Sequence, residues 1–450
     1  MKQASIIEPN AQAATDRPDN EQLIASRQRH FLPTAHLYHS QPLQLVKAQG
    51  EYVWDNEGRR YLDVIGGIVC ISAGHNHPKI KQRLMTMLED DEIQHTSTLY
   101  LNRHAVELAE KLVAKAPPGL DRASFTNSGS EANELAFMTA RQSTGETMII
   151  NLRHGYHGGT SGAMAQCGHH NWRFRSQPTS SATSAMEPNC YRCPFNQKVE
   201  SCDLECAKNV ETTIQTSTHG KIAAMIAEPV LGVGGFIAPP KEYFSEVTDI
   251  VHNYGGKYIS DEVQTGAGRC GGEFLLTREL EIDADMVTMA KGFGNGAAIG
   301  AVLMKSEDAA ALEGKMYFNT FGGDPMQTAQ ASATMDVIEE ENLIANARAM
   351  GDRLRDGLEH LMNQHPLVGD VRGRGLLLGM ELVKDRKTKA YASEEAARFM
   401  DKCKDKGVLV GKGGLFGNVI RLAPPLTINA EQIDLMLDVF DQALAELAGS

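Results

Sequence analysis

Three stretches of the chain put reactive or phosphate-binding residue types at the ends of apolar runs. Met289-Ala290-Lys291-Gly292-Phe293-Gly294-Asn295-Gly296 ends such a run on a lysine and follows it with a glycine-rich turn. Lysines at strand ends are usually solvated, but an apolar surrounding lowers the pKa and gives the neutral amine that Schiff-base chemistry requires. Ile259-Ser260-Asp261-Glu262-Val263-Gln264 runs into an acid in the same way. Asp261 then either faces a cleft at a strand end or simply caps the next turn. In Phe125-Thr126-Asn127-Ser128-Gly129-Ser130-Glu131-Ala132-Asn133, a strand leads into a Ser-Gly-Ser turn, and Ser130 is expected to N-cap a helix beginning at Glu131. Free N–H groups and the dipole at such a helix start suit a phosphate, and Gly129 lets the backbone come close; an ordinary capped helix reads the same way.

In that order, a phosphate cradle, a strand-end acid and a strand-end lysine are the parts a pyridoxal phosphate needs. The lysine forms the imine, the acid keeps the pyridine nitrogen protonated, and the cradle fixes the phosphate. Positioning them calls for a parallel sheet, because ligands sit just beyond the carboxyl ends of its strands. From about Ala105 helical stretches alternate with short apolar strands, among them Met148-Ile149-Ile150, Ala223 to Ala227, Tyr258-Ile259 and Met286 to Met289. That is the rhythm of crossover units. Upstream, Lys47 to Asp63 reads as a hairpin about Asp55-Asn56-Glu57-Gly58, and Arg59 and Arg60 exclude a calcium loop there. Near Met326 the rhythm stops and a helical pattern runs to about Gln364. Strands at Gly375 to Leu382, Val408 to Val410 and Val419 to Leu422 then precede a closing helix from Ala430. The expected fold class is α/β. A large domain with a mainly parallel sheet spans 76–325, a smaller α+β domain spans 326–450, and an arm and hairpin over 1–75 pack with the smaller domain.

The motifs, in their order, resemble those of the class III (ω-amino-acid type) aminotransferases of pyridoxal-phosphate fold type I, from about Leu37 to the end. The matching stretches are Gly74-His75-Asn76-His77-Pro78, Asn127-Ser128-Gly129-Ser130-Glu131-Ala132, Gly155-Tyr156-His157-Gly158, Ala227-Glu228-Pro229, Asp261 to Gly266, Ala290-Lys291-Gly292, Thr320-Phe321-Gly322-Gly323 and Val371 to Gly375. The resemblance implies that Lys291 carries the cofactor and then shuttles a proton as general base and acid. It implies that Asp261 pairs with the ring nitrogen, Tyr156 stacks on one ring face, Val263 packs on the other, and Gln264 contacts the ring hydroxyl. Ser128, Gly129 and Ser130 would hold the phosphate, with Thr320 reaching it from a second subunit; His157 and Glu228 match positions beside the cofactor. A homodimer or dimer of dimers with interface active sites is implied as well.

Arg421, in Val419-Ile420-Arg421-Leu422, matches the family arginine that grips a substrate carboxylate, a task suited to a planar fork. Members using 4-aminobutyrate or ornithine with 2-oxoglutarate add a masking glutamate and a second arginine; here those positions are Val233 and Gly159. A second carboxylate would therefore lack its partner. The remaining resemblance is to the alanine–glyoxylate and ω-amino acid:pyruvate members, with an ω-amino acid, amine or alanine as donor and pyruvate or glyoxylate as acceptor. The rivals are a 2-oxoglutarate enzyme of the 4-aminobutyrate type, a lyase or decarboxylase of the same family, and a non-catalytic scaffold, which has no need of Lys291 and Asp261. Neither glycine run, Gly232 to Gly235 or Gly292 to Gly296, makes a nicotinamide-binding fingerprint.

Composition frames these readings. The chain has 450 residues, 42% hydrophobic and 22% charged, with a formal net charge of −13. That size suits two packed domains, and the charge offers no footprint for nucleic acid or anionic membranes. No apolar run reaches the ~20 residues of a spanning helix. Met1 to Ser5 has no apolar h-region, so a cytoplasmic enzyme is expected, and the first 25 or so residues read as a poorly ordered or partner-docked arm. Four of eight cysteines cluster as Cys190, Cys193, Cys202 and Cys206; they read as a compact structural zinc site or as a loop of reduced thiols. No catalytic metal is expected, and His75 and His77, in a glycine-rich turn, read as structural.

Overall fold

The computed structural model describes residues 19–34, 37–176 and 181–449. The expected N-terminal arm lies partly outside the described residues; within them Asn20–His30 form a helix that buries none of its side chains.

Three strands come first: β1 (Leu45–Gln49), β2 (Tyr52–Asp55) and β3 (Arg60–Asp63). Then follow β4 (Arg122–Thr126), β5 (Ile149–Leu152), β6 (Ala182–Ala185), β7 (Ala224–Ala227), β8 (Lys257–Asp261), β9 (Met286–Met289) and β10 (Gly300–Met304). The last set is β11 (Val368–Arg374), β12 (Leu377–Asp385), β13 (Ala390–Tyr391), β14 (Val408–Leu409), β15 (Gly411–Gly413) and β16 (Val419–Leu422).

The central sheet has seven strands in the order β4-β10-β9-β8-β7-β5-β6. β6, β5, β7, β8 and β9 pair in parallel. β10 runs antiparallel to both β9 and β4, so six strands share one direction. β5, β7, β9 and β10 are buried along their whole length, which is why they read as apolar runs broken only by Asn151 and Thr288: helices cover both faces. Between β7 and β8, for example, the helix Tyr243–Asn253 buries Tyr243, Phe244, Val247 and Val251 on one face.

β2 and β3 form the expected hairpin, and β1 pairs antiparallel with β2 to extend it to a three-strand meander. Its fourth strand is β14, which pairs in parallel with β3, Val408 opposite Leu62. A third sheet, β11-β12-β16-β15, carries β13 on β12. The helical pattern from Met326 is two helices, Pro325–Glu340 and Leu343–Gln364, separated where Asn342 takes a left-handed backbone (φ 53°). Among the described residues no helix is long and apolar enough to cross a membrane.

Candidate active site

Five strands of the central sheet deliver side chains to one place. Beyond the carboxyl ends of β4, β5, β7, β8 and β9 lie Asn127 to Ser130, Tyr156 to Gly158, Glu228, Val263 with Gln264, and Ala290 with Lys291. With Asp261 and Asn133 they line a single cavity of about 270 Å³, completed by Cys70 and Ala297 to Ile299. This is the position the sheet rule requires. Ten of the expected residues meet there: Ser128, Gly129, Ser130, Tyr156, His157, Glu228, Asp261, Val263, Gln264 and Lys291.

Lys291 leaves β9 through Ala290 and opens a short 3₁₀ turn, Lys291–Gly294, with a left-handed backbone (φ 51°) that a non-glycine residue rarely adopts. Burial lowers its pKa, Cys70 and Asp261 push it back up, and Arg421 lowers it further. The expected direction holds.

Asp261 is clamped by three donors. Its Oδ2 accepts from Asn133 Nδ2 at 2.9 Å and meets His157 Nδ1 at 2.8 Å, while Oδ1 accepts from Val263 N at 3.1 Å. Both sequence readings of this acid are therefore true at once: it faces the cavity and caps the following turn. Asn133 Nδ2 also donates to the carbonyl of His157 at 2.7 Å, locking the loop that carries the histidine. His157 is fully buried and its Nε2 has no partner.

Glu228 spans two loops. Oε1 accepts from Tyr156 N at 3.0 Å and Oε2 from Gly232 N at 2.8 Å. Burial pushes its carboxyl up to about 7.

At the helix end of the cavity one expectation is corrected. The helix is Gly129–Thr144, and its N-cap is Ser128, not Ser130: Ser128 is extended (φ −158°, ψ 163°) and accepts from Glu131 N at 3.2 Å. Ser130, already inside the first turn, accepts from Gly159 N at 3.0 Å instead. Gly129 has no room for a side chain, since a Cβ there would stand 2.8 Å from Val263 Cγ2.

Arg421, on β16, is buried, with its guanidinium 4.6 Å over the Phe236 ring. It donates to Gln264 Oε1 at 2.5 Å, which couples the smaller sheet to the cavity wall. Thr320, expected to act at the cavity of a second subunit, is not among the residues lining this chain's own cavity. It is exposed, but the neighbouring Asn319 bonds Asn127 at 2.9 Å and Glu131 at 3.1 Å, so this stretch borders the helix end.

Sequence reasoning passed over Cys70, Asn127, Asn133 and Ala297 to Ile299. Asn127 and Asn133 stand inside a motif already singled out, Asn133 one turn beyond Gly129; nothing marked Cys70. Elsewhere, Cys190, Cys193, Cys202 and Cys206 are free thiols, Cys190 exposed and Cys206 buried. Among the described residues no three or more His, Cys, Asp or Glu converge so as to hold a metal ion. His75 and His77 pair with separate acids, Asp63 at 2.9 Å and Glu341 at 3.3 Å.

The cavity residues fit pyridoxal phosphate. Tyr156 and Val263 both line the cavity, and the missing Cβ of Gly129 leaves the space that Val263 fills. A helix N-terminus with two serines closes one end, a clamped acid lies deep, and a desolvated lysine faces it.

The model of the family described as aminotransferase class III matches residues 34–444. An Arabidopsis thaliana protein named alanine–glyoxylate aminotransferase 2 homolog 2, mitochondrial, is 39% identical, over 96% of this chain and 88% of its own. A Bacillus anthracis aminotransferase of known structure superposes with a TM-score of 0.87 at 31% identity, covering 96% of this chain and all of that one. A phospholyase from Arthrobacter, solved with phosphoethanolamine, gives 0.86 at 30% identity over 94% and 99%.

Proposed function

The chain belongs to the class III aminotransferases and is a pyridoxal-phosphate-dependent transaminase, and on that premise we propose how it chooses its substrates and which residues act. It takes an amino group from an ω-amino acid, an amine or alanine and passes it to pyruvate or glyoxylate, in two half-reactions through Lys291. The carrying observation is Arg421, a buried arginine whose guanidinium donates to a neutral amide, the Gln264 side chain that lines the cavity. One guanidinium takes one carboxylate, so a monocarboxylate 2-oxo acid suits the site. Val233 and Gly159, where a masking acid and a second arginine would stand, support the same choice.

Bound pyridoxal phosphate supplies an electron sink for the carbon bearing the amine. Ser128, Gly129 and Ser130 hold the phosphate. Asp261, fixed by His157 and Asn133, would keep the ring nitrogen protonated, and Tyr156 and Val263 would flank the ring. Lys291 Nζ, desolvated and thus able to be neutral, takes the proton from the donor carbon and returns it across the ring. A homodimer is part of the reading. Leu99, Tyr100, Leu101 and Met316 to Phe321 are exposed large side chains or their neighbours, and this stretch borders the helix end of the cavity. A cytoplasmic location is also proposed; the Arabidopsis relative is mitochondrial by name, so cell fractionation decides.

The test is the visible spectrum of purified protein with L-alanine, β-alanine or taurine added singly. A competent donor should shift the cofactor band, and pyruvate or glyoxylate should restore it; Lys291→Ala should do neither. Restoration by 2-oxoglutarate alone would overturn the acceptor reading. The likeness to a phospholyase favours one rival, and phosphate release from phosphoethanolamine without a 2-oxo acid would select it.

A further inference from the structure

Among the described residues Arg421 is a buried cation with no carboxylate in direct contact, Glu228 acting on its charge only from a distance. It is 4% exposed, and its Nε has no hydrogen-bond partner. What it has is the Phe236 ring face and the side-chain oxygen of Gln264. The room for this arrangement is built in. A Cβ at Gly232 would stand 2.2 Å from Gln264 Nε2, and one at Gly413 would stand 2.5 Å from Arg421 Cδ. Both glycines hold open the space in which the two side chains meet. Gln264 also lines the cavity, so the amide lies between the arginine and the reacting centre.

We propose that Gln264 is a specificity-determining residue: it holds Arg421 between substrates, and because it is neutral it leaves the arginine available in both half-reactions. The inference rests on the reading above that Arg421 takes the substrate carboxylate. An acid at this place would neutralise the guanidinium, and a donor lacking a carboxylate would then bind without leaving a buried charge unmatched. An amide gives one hydrogen bond and no charge. A carboxylate-bearing donor displaces it at small cost and supplies the missing anion; a carboxylate-free amine leaves the cation as it was. The site therefore selects donors that carry a carboxylate near the amine, and it does so with the same arginine that selects the acceptor.

Isopropylamine is L-alanine with a methyl group in place of the carboxylate, so the pair isolates this one contact. With glyoxylate as acceptor, kcat/KM for L-alanine should exceed that for isopropylamine by at least about a hundredfold. Gln264→Glu should shrink that ratio by roughly tenfold or more, the loss falling on L-alanine rather than on isopropylamine, with both donors read on the same variant so that any effect on the cofactor itself cancels. Val233→Glu provides a second variant outside the cavity lining, its backbone beside Gly413 and hence beside Arg421. It should shift the ratio in the same direction, and it decides the matter if Gln264→Glu no longer retains the cofactor band. Equal shifts for both donors, or a ratio unmoved in a variant that retains the band, would overturn the inference while leaving the acceptor reading standing. Exchange with 2-oxoglutarate alone would overturn the acceptor reading, and the donor ratio would still judge Gln264.

Discussion

Glu228 carries the clearest pH signature in the molecule. It is 3% exposed and has two backbone N–H donors, and burial raises its carboxyl from the ordinary 4.5 to about 7. A carboxyl raised in the folded state keeps its proton where the unfolded chain has lost it. Its stability contribution is therefore full below about pH 4.5 and is lost as pH rises to about 7. The loss is on the order of 3 kcal/mol. Glu228→Gln should flatten this fall, and urea midpoints of the two proteins at pH 5, 6, 7 and 8 would show it; parallel curves would sink the assignment. Residue-level chemistry was legible where a polar side chain ends an apolar run, as at Lys291 and Asp261. It was not legible where the partner lies far along the chain. The Asn133–Asp261 bond joins residues 128 apart, and the approach of Cys70 to Lys291 left no local mark.

Among the elements, the loop after β5 shows how closely two backbones meet. Gly158 has φ +136°, and a Cβ there would stand 2.4 Å from Ser130 Oγ and 2.8 Å from Ser130 Cα. Gly158→Ala should cost about 2–3 kcal/mol from strain and overlap together. It should also weaken cofactor retention, because the loop is pushed from the helix start. Equilibrium unfolding and the cofactor's visible band measure the two effects; an unchanged protein would mean the loop yields freely. β5, β7, β8 and β9 were readable because a doubly covered strand is mostly apolar, even with Asn151, Ser260 and Thr288 among them. β10 was missed although Ala301 to Met304 is apolar, since the glycine-rich stretch before it gave no crossover helix and hence no parallel rhythm. The shift of the N-cap from Ser130 to Ser128 has a similar origin. Both serines are good caps, and only the extended backbone of Ser128 selects between them.

For the whole molecule, Leu101 is fully exposed and Met316 is 96% exposed, with Leu99 and Tyr100 at 73%. Side chains of this kind gathered on one face mark an interaction surface. If the homodimer proposed above uses this face, Leu101→Glu should move the protein from dimer mass toward its 49.0 kDa chain mass in sedimentation or light scattering. It should also lower activity at low concentration, since the patch adjoins the Asn319 contact with Asn127. A dimer that persists at all concentrations would place the interface elsewhere. The sequence indicated the sheet sets and the site at this scale. It gave no sign that the Cys190–Cys206 loop is tied to β12, where Arg192 Nε meets Glu381 at 2.6 Å.

The parallel pairing of β3 with β14 sets an order of events during synthesis. Leu62 leaves the ribosome early, and its partner Val408 is made some 350 residues later, a wait of roughly 20 to 70 seconds at ordinary elongation rates. Through that interval the first three strands present an open edge on β3, the side that backbone N–H and C=O groups of any other strand can join. Chain ends made furthest apart in time are thus neighbours in the finished protein, and the nascent chain is most exposed to mispairing just before its last fifty residues appear.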